Sequence, residues 1–252
     1  MSIQLSIITV CRNAESTIEQ TLRSVAGQKI PGVEYIVIDG ASTDGTLAKV
    51  NLHPGLADRI VCEPDRGLYD AMNKGAALSN GRYVCYLNAD DAYLPDAIES
   101  LLSHIADWPD VDLFYGDWVG VGPGNIAVVR KARLALGWRY RLCHQAIAVR
   151  RDLLGTRPFD ERYRICADLD AILRWINGGA STMYIPTPLV RFSEEGVSNT
   201  TVGRACRESL QVAMQRLGFL KSWRFCLMMM MHWIRAGTKT LINESLKKIA
   251  NA

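Results

Sequence analysis

Three short polar clusters hold side chains able to do chemistry. Asn88-Ala89-Asp90-Asp91 sets three oxygen-bearing side chains directly after the apolar run Tyr83–Leu87. Hard divalent ions such as Mg2+ take carboxylate and phosphate oxygens and keep several waters. One well-placed carboxylate can therefore hold a metal that a substrate diphosphate completes. The same four residues also suit a solvated turn that opens a helix. Asp39 closes another apolar run and begins Asp-Gly-Ala-Ser-Thr-Asp-Gly. An acid at that place meets a ribose or base in dinucleotide folds, and the same residues favour an Asx turn. Asp168 and Asp170 follow Ile165-Cys166-Ala167 and open an apolar stretch. A carboxylate there can be a general base if it reaches an acceptor hydroxyl, or it can simply favour a helix N-terminus. His144 stands before a strand, where a single histidine is more often structural.

These clusters need a scaffold, and the first half supplies one. Leu5–Val10, Tyr35–Ile38, Ile60–Cys62 and Tyr83–Leu87 read as strands. Helices fit between and after them. Ser16-Thr17-Ile18-Glu19 has capping-box spacing, Ile18, Leu22 and Val25 follow at helical spacing, and Gly27 can end that helix. Leu68–Leu78 and Asp96–Ile105 are two more. This alternation predicts an α/β fold, a Rossmann-like and mostly parallel sheet flanked by helices. Ligands of such sheets bind outside the carboxyl ends of the strands, where the loops after Val10, Ile38 and Leu87 gather. Cys11-Arg12-Asn13-Ala14 cannot serve as a GxGxxG loop, which argues against an NAD enzyme. Beyond residue 115 the pattern is less regular. Residues 116–124 read as loop-rich, Gln145–Val149 as a strand, and Asp168–Asn177 and Arg204–Leu217 as helices.

Composition narrows the class. The chain has 252 residues, 48% hydrophobic and 22% charged, which excludes extended disorder and low-complexity classes. Its seven cysteines are scattered and form no CxxC. That argues against a disulfide framework or a cysteine-rich zinc site, and for a reducing cytosol. The start, MSIQLSIITV, lacks a basic leader and a cleavage site, so it reads as a strand. No apolar run is long enough for a conventional membrane span. Charge is uneven: residues 203–252 carry nine Lys/Arg against two Asp/Glu, and the preceding part is net acidic.

The clusters in combination resemble the family 2 glycosyltransferases of the GT-A fold, from about Gln4 to Phe192. Leu5-Ser-Ile-Ile-Thr-Val-Cys-Arg-Asn-Ala14 with Ile18–Val25 and Gln28 is similar to the family's first motif. Glu34–Thr46, Glu63–Gly75 and Leu87–Asp91 are similar to the second, third and fourth. The run Tyr-Asp-Ala-Met-Asn-Lys-Gly resembles bacterial exopolysaccharide members most, including colanic acid biosynthesis enzymes. The resemblance implies inverting transfer of a sugar from a nucleoside-diphosphate sugar, with Mn2+ or Mg2+ as cofactor. It implies that Thr9, Val10, Asn13, Asn88 and Ala89 line the nucleotide pocket and that Asp39 reads the base. Asp90 matches the last acid of the DxD motif, the metal ligand. Asn88 stands where its first Asp usually is, and Asp91 supports Asp90 or caps the next helix. Asp168 matches the catalytic base of the "ED" segment, where Ala167 replaces the Glu, with Asp170 as second candidate. Met72 stands where many members carry Arg. Arg12, Arg66 and Lys74 are candidates for the donor phosphates, His144 and Gln145 for the acceptor side, and Asp70 for the donor or acceptor side. Asn88, Ala167 and Met72 also motivate an alternative, a catalytically weak sugar-nucleotide binding protein of the same fold.

The expected organisation is a catalytic domain over residues 1–202, with a nucleotide-sugar half to about 115 and an acceptor half after it. A basic amphipathic helical tail follows over 203–252. Within 219–237, Lys221, Arg224, His232 and Arg235 share one helical face beside an aromatic and Met face. Such a helix suits an anionic membrane surface and a lipid-linked acceptor, or packs on protein. No nucleic-acid motif is present. The expected location is the cytoplasm, at the inner face of the membrane if the tail binds there.

Overall fold

The computed structural model describes residues 2–135, 139–155, 157–194, 201–218 and Ser222. Its first half follows the predicted alternation and adds a short helix over Thr46–Asn51. Strand β1 (Leu5–Cys11) is followed by helix α1 (Ile18–Ala26), β2 (Val33–Asp39), α2 (Thr46–Asn51), β3 (Arg59–Cys62), α3 (Leu68–Leu78) and β4 (Tyr83–Tyr86). β1 pairs in parallel with β2, from Leu5 opposite Val33 to Cys11 opposite Asp39, and also with β4. β2 pairs in parallel with β3. Because helices cover both faces, β1 and β2 are buried throughout, which is why they read as continuous apolar runs. Alternate side chains enter different cores. Leu5 and Ile7 pack with Leu22 and Ile98 on one face, whereas Ile8 and Val10 pack with Met72 and Ala76 on the other. α3 lies close on the sheet at Gly75, where a Cβ would come within 2.4 Å of Ile8 Cγ2.

The second half makes the sheet mixed. β5 (Ala92–Tyr93), α4 (Ala97–Asp107), β6 (Leu113–Gly122), β7 (Ile126–Arg130), the hairpin β8 (Arg133–Ala135) and β9 (Arg139–Arg141), β10 (Ile147–Arg150) and α5 (Arg151–Leu154) come first. Helix α6 (Ala167–Asn177), β11 (Thr182–Ser193) and α7 (Val202–Leu217) complete the described chain. The strand order is β3-β2-β1-β4-β10-β6-β11-β5, with β7 on β6. The parallel part ends at β4; β10 is antiparallel to β4 and β6, and β11 runs parallel to β6.

Residues 116–124, expected as loop, belong mostly to β6. Gly116 marks close approach, whereas Gly124, with a φ of 74° and open space around it, belongs to the turn that follows the strand. At Gly116 a Cβ would stand 2.5 Å from Leu189 Cδ1 of β11. β11 itself was not expected, because Pro186 and Pro188 interrupt its pattern. The strand accepts them through register shifts between Ile185, Pro188 and Val190, in keeping with the confinement of proline to bulges and edges. The capping box at α1 does not form: Thr17 is the N-cap and makes no side-chain cap bond.

α7, where the expected tail begins, lies against the body. Val212 and Ala213 are fully buried, and Val212 joins the core over α6. The basic face expected at 219–237 lies outside the described residues. No helix among the described residues is long and apolar enough to cross a membrane.

Candidate active site

The carboxyl ends of β1 and β4 open into a cavity of about 700 Å3. Val10, Arg12 and Asn13 line it from the β1 end, and Asn88, Ala89 and Asp90 from the β4 end. Facing them are Tyr69 at the start of α3, His144 and Gln145 ahead of β10, and Asp168 in the first turn of α6. Trp118 and Phe192 supply an apolar wall. Segments far apart in sequence thus meet at the edge where a parallel sheet receives ligands.

The loop after β4 is held from behind. Gln20 Nε2 donates to the Asp90 carbonyl at 2.8 Å, and Thr21 Oγ1 to the Asp91 carbonyl at 2.6 Å. Asp90 is half-buried; loss of water pushes its carboxyl above the usual range. Asn88 Oδ1 is buried with no partner among the described residues. Asp91 does not line the cavity. It is fully buried, accepting the Ser193 amide at 2.9 Å and Gln145 Nε2 at 2.8 Å. Burial, and then the charge of Asp90, push its carboxyl up to about 7. Asp91 is therefore a strut under the loop and not a group open to a metal.

Across the cavity, His144 Nδ1 lies 2.9 Å from Asp168 Oδ2. Tyr69 shares its hydroxyl proton between the Ile165 carbonyl, at 2.6 Å, and Asp168 Oδ1, at 3.0 Å. Burial disfavours charge on both members of the His144–Asp168 pair, but their mutual attraction outweighs it. His144 is raised above its ordinary value and Asp168 is lowered below its own. Glu208 of α7 holds the start of α6 in place: its Oε2 accepts the Ile165 amide at 2.8 Å and the Cys166 amide at 3.2 Å.

The remaining expected residues divide. Thr9 and Asp39 are fully buried and do not line the cavity. Thr9 Oγ1 accepts from Tyr35 Oη at 3.0 Å; Asp39 accepts the Ser42 amide at 2.8 Å and the thiols of Cys11 and Cys62. Arg66 pairs with Asp70 at 2.7 Å and Glu161 at 2.9 Å, and Lys74 with Glu63 at 2.8 Å. Neither these cations nor Asp70 line the cavity. Asp170 lies outside it too, buried beneath Arg174 at 3.1 Å and Arg216 at 2.7 Å. Gln145 spends its amide internally, its carbonyl accepting the Cys143 thiol at 2.9 Å.

The family model for glycosyl transferase family 2 matches residues 6–156, more than half of the chain and all of the β1–β4 edge. The chain belongs to this family. A PGL/p-HBAD biosynthesis glycosyltransferase of Mycobacterium bovis (strain BCG / Pasteur 1173P2) is 30% identical over 257 aligned residues, covering 96% of this glycosyltransferase and 95% of that one. S. aureus TarS 1-349 in complex with UDP shares the fold at a TM-score of 0.66 and 17% identity, over 84% of this chain and 66% of that one. Mannosyltransferase PcManGT from Pyrobaculum calidifontis, solved with GDP-Man and Mn2+, does so at a TM-score of 0.67 and 18% identity, over 91% and 69%. The GT-A architecture, a mixed sheet flanked by helices, is shared with both.

The donor set of the glycosyltransferase fits a divalent cation completed by substrate. Asp90 offers a carboxylate whose charge burial disfavours, and Asn88 an orphaned oxygen in the same wall. No group of three His, Cys, Asp or Glu among the described residues could hold a metal unaided. Tyr69 and Arg164 are among the lining residues that the motifs did not point to. Tyr69 sits inside the third motif, but its partner Asp168 is 99 positions away. Arg164 stands among other arginines with no motif around it, yet it lines the cavity and donates to the Arg66 carbonyl.

Proposed function

We propose that this glycosyltransferase catalyses inverting transfer of a sugar from a nucleoside-diphosphate sugar to a hydroxyl of a lipid-linked glycan acceptor, in the synthesis of bacterial surface polysaccharide or glycolipid. The observation that carries the reading is the single cavity in which Asn88 and Asp90 face the Asp168–His144 pair. Its lip at β1 and β4 suits a nucleotide diphosphate, and the pair opposite suits an incoming hydroxyl. The UDP and GDP-Man of the two solved neighbours support a nucleotide sugar as donor. The mycobacterial relative's name supports a glycolipid acceptor.

In this reading Asp90, with Asn88, holds Mn2+ or Mg2+. When bound, the cation supplies Lewis-acid neutralisation of the diphosphate. Arg12 and Arg164, the guanidinium groups lining the cavity, add charge toward the phosphates. Asp39 holds Ser42, and Asn13 holds Thr43, at the nucleotide end. The acceptor hydroxyl gives up its proton to the Asp168–His144 pair, a contribution of about 10²–10⁴-fold in general base catalysis. The basic segment 219–237 brings the enzyme to the anionic inner face of the membrane.

A thermal-shift panel of UDP, GDP, dTDP, CMP and NAD, each with and without Mn2+, tests this. Ligands that bind the folded state raise its melting temperature. A metal-dependent rise with one nucleoside diphosphate, lost in Asp90→Asn, is expected. A rise with NAD alone would overturn the reading. Asn88, Ala167 and Met72, which depart from the family pattern, favour a second reading as a catalytically weak sugar-nucleotide binder. Nucleotide binding without sugar turnover would select it.

A further inference from the structure

We propose that strand β7 and the hairpin β8–β9 form a docking surface for an anionic lipid bilayer, at the rim of the cavity and separate from residues 219–237. The inference rests on the lipid-linked acceptor of the reading above and says which face of the catalytic body meets the lipid.

β7 is apolar at every position from Ile126 to Val129, the pattern of a strand covered on both faces. Yet all four residues are exposed, Ile126 by 68% and Val129 by 53%. Successive side chains point to opposite faces, and none of the four joins a core cluster. The partner of β7 among the described residues is β6, so its outer edge is unpaired there. Soluble proteins blunt or cover such an edge, and an exposed apolar patch marks a contact surface.

The neighbouring charge says what the contact is. Residues 126–141 hold five Lys/Arg and no Asp/Glu. Arg130 pairs with Glu194 and Lys131 with Asp117, each at 2.7 Å. Arg133 and Arg141 stand directly opposite each other across the hairpin, and neither has an ion-pair partner among the described residues. Like charges directly opposite are destabilising. Partial loss of water, and then the charges of Arg133 and Arg130, hold the Arg141 guanidinium below its ordinary value. An anion against the two guanidiniums relieves that repulsion. Acidic headgroups supply it, and the lipid beside them gives Ile126–Val129 an apolar boundary. A second copy of this chain would bring the same cations, and residues 203–252 are themselves basic, with nine Lys/Arg against two Asp/Glu. Charge therefore disfavours both of these as the cover.

The surface also lies where a lipid-borne acceptor would be presented. Trp118, opposite Arg130 on β6, lines the cavity, and so do Leu142, Cys143 and His144, which follow β9 directly. An acceptor anchored in the bilayer thus meets the enzyme beside the acceptor side of the cavity.

The test uses the full chain and co-sedimentation with vesicles of phosphatidylcholine, alone or mixed with phosphatidylglycerol. The wild type is expected to bind the mixed vesicles and not the neutral ones, and to be released as salt screens the surface charge. Arg133→Gln should weaken binding about fivefold, the usual contribution of one basic residue at an anionic surface. Ile126→Thr with Val129→Thr should weaken it about tenfold, by removing methyl groups from the lipid boundary. Both variants should keep the wild-type melting temperature, because these side chains are exposed, and its rise with nucleoside diphosphate and Mn2+. Variants that bind the mixed vesicles within twofold of wild type would overturn the proposal and assign attachment to residues 219–237. So would a wild type that binds neither vesicle, or a dimer that Val129→Thr dissociates. A wild-type protein that no nucleotide stabilises would instead count against the transferase reading.

Discussion

Gln145 Nε2 donates to Asp91 Oδ2 at 2.8 Å across 54 positions of chain, with both side chains buried. Asp91 also holds the Ser193 amide at the end of β11. One carboxylate thus ties the loop after β4 to the turn before β10 and to the last residue of β11. Rigid support of this kind keeps two halves of a site in register, where a misplacement of about 1 Å can cost 10²-fold in rate.

Gln145→Ala should therefore harm both stability and rate. It leaves a buried carboxylate with one donor fewer, a loss of about 1–3 kcal/mol. At this chain length that is a fall of roughly 2–12 °C in melting temperature. Thermal melts beside nucleoside diphosphate release measure the two effects. A stable variant with normal kcat would show that Asp91 does not need this bond.

Asn88→Asp would give the cavity a second acid beside Asp90. Without metal, repulsion between like charges should destabilise the fold and lower the melting temperature. With a bound nucleoside diphosphate, the midpoint for stabilisation by Mn2+ should fall about tenfold. An unchanged midpoint would remove residue 88 from the cation site.

The pH dependence of stability should carry the mark of the His144–Asp168 pair. His144 is raised above 6.5, so its contribution is full below that value and fades as pH climbs through the raised one. Asp168 is lowered below 3.8, so its contribution is present above that value and fades in stronger acid. The difference in melting temperature between wild type and His144→Gln should therefore be widest at about pH 4–6.5. It should shrink toward pH 9. A gap that widens above pH 7 would contradict the ion pair.

Glu208→Ala removes the acceptor of two amides at the start of α6. The cost of a lost cap is about 1–2 kcal/mol, and kcat should fall with it because Asp168 rides on that turn. Glu208→Gln keeps an oxygen acceptor and should recover most of both. Equal losses in the two variants would assign the effect to charge instead.

Local pattern carried much of the fold. The α3 boundaries, Leu68–Leu78, match the expectation because apolar spacing, Gly67 and the following strand all agree. β6 and β11 were hidden by glycines and prolines that serve their mutual packing, as Gly116 does against Leu189. Long-range pairing of that kind leaves no local period to read. At the site, the motif residues Val10, Asn13, Asn88, Ala89, Asp90, His144 and Asp168 do share one cavity. Sequence could not show that Asp91 faces inward, nor that Asp170 is occupied by Arg174 and Arg216, since each depends on a partner from another element.

The way α7 lies on α6 limits how this chain can be recombined. Residues 116–202 moved into a relative without α7 would strip the Ile165 and Cys166 amides of Glu208 and leave buried Asp170 without Arg216. Any such graft has to carry its own helix through Leu217, so the smallest transferable unit is larger than the segments that line the cavity.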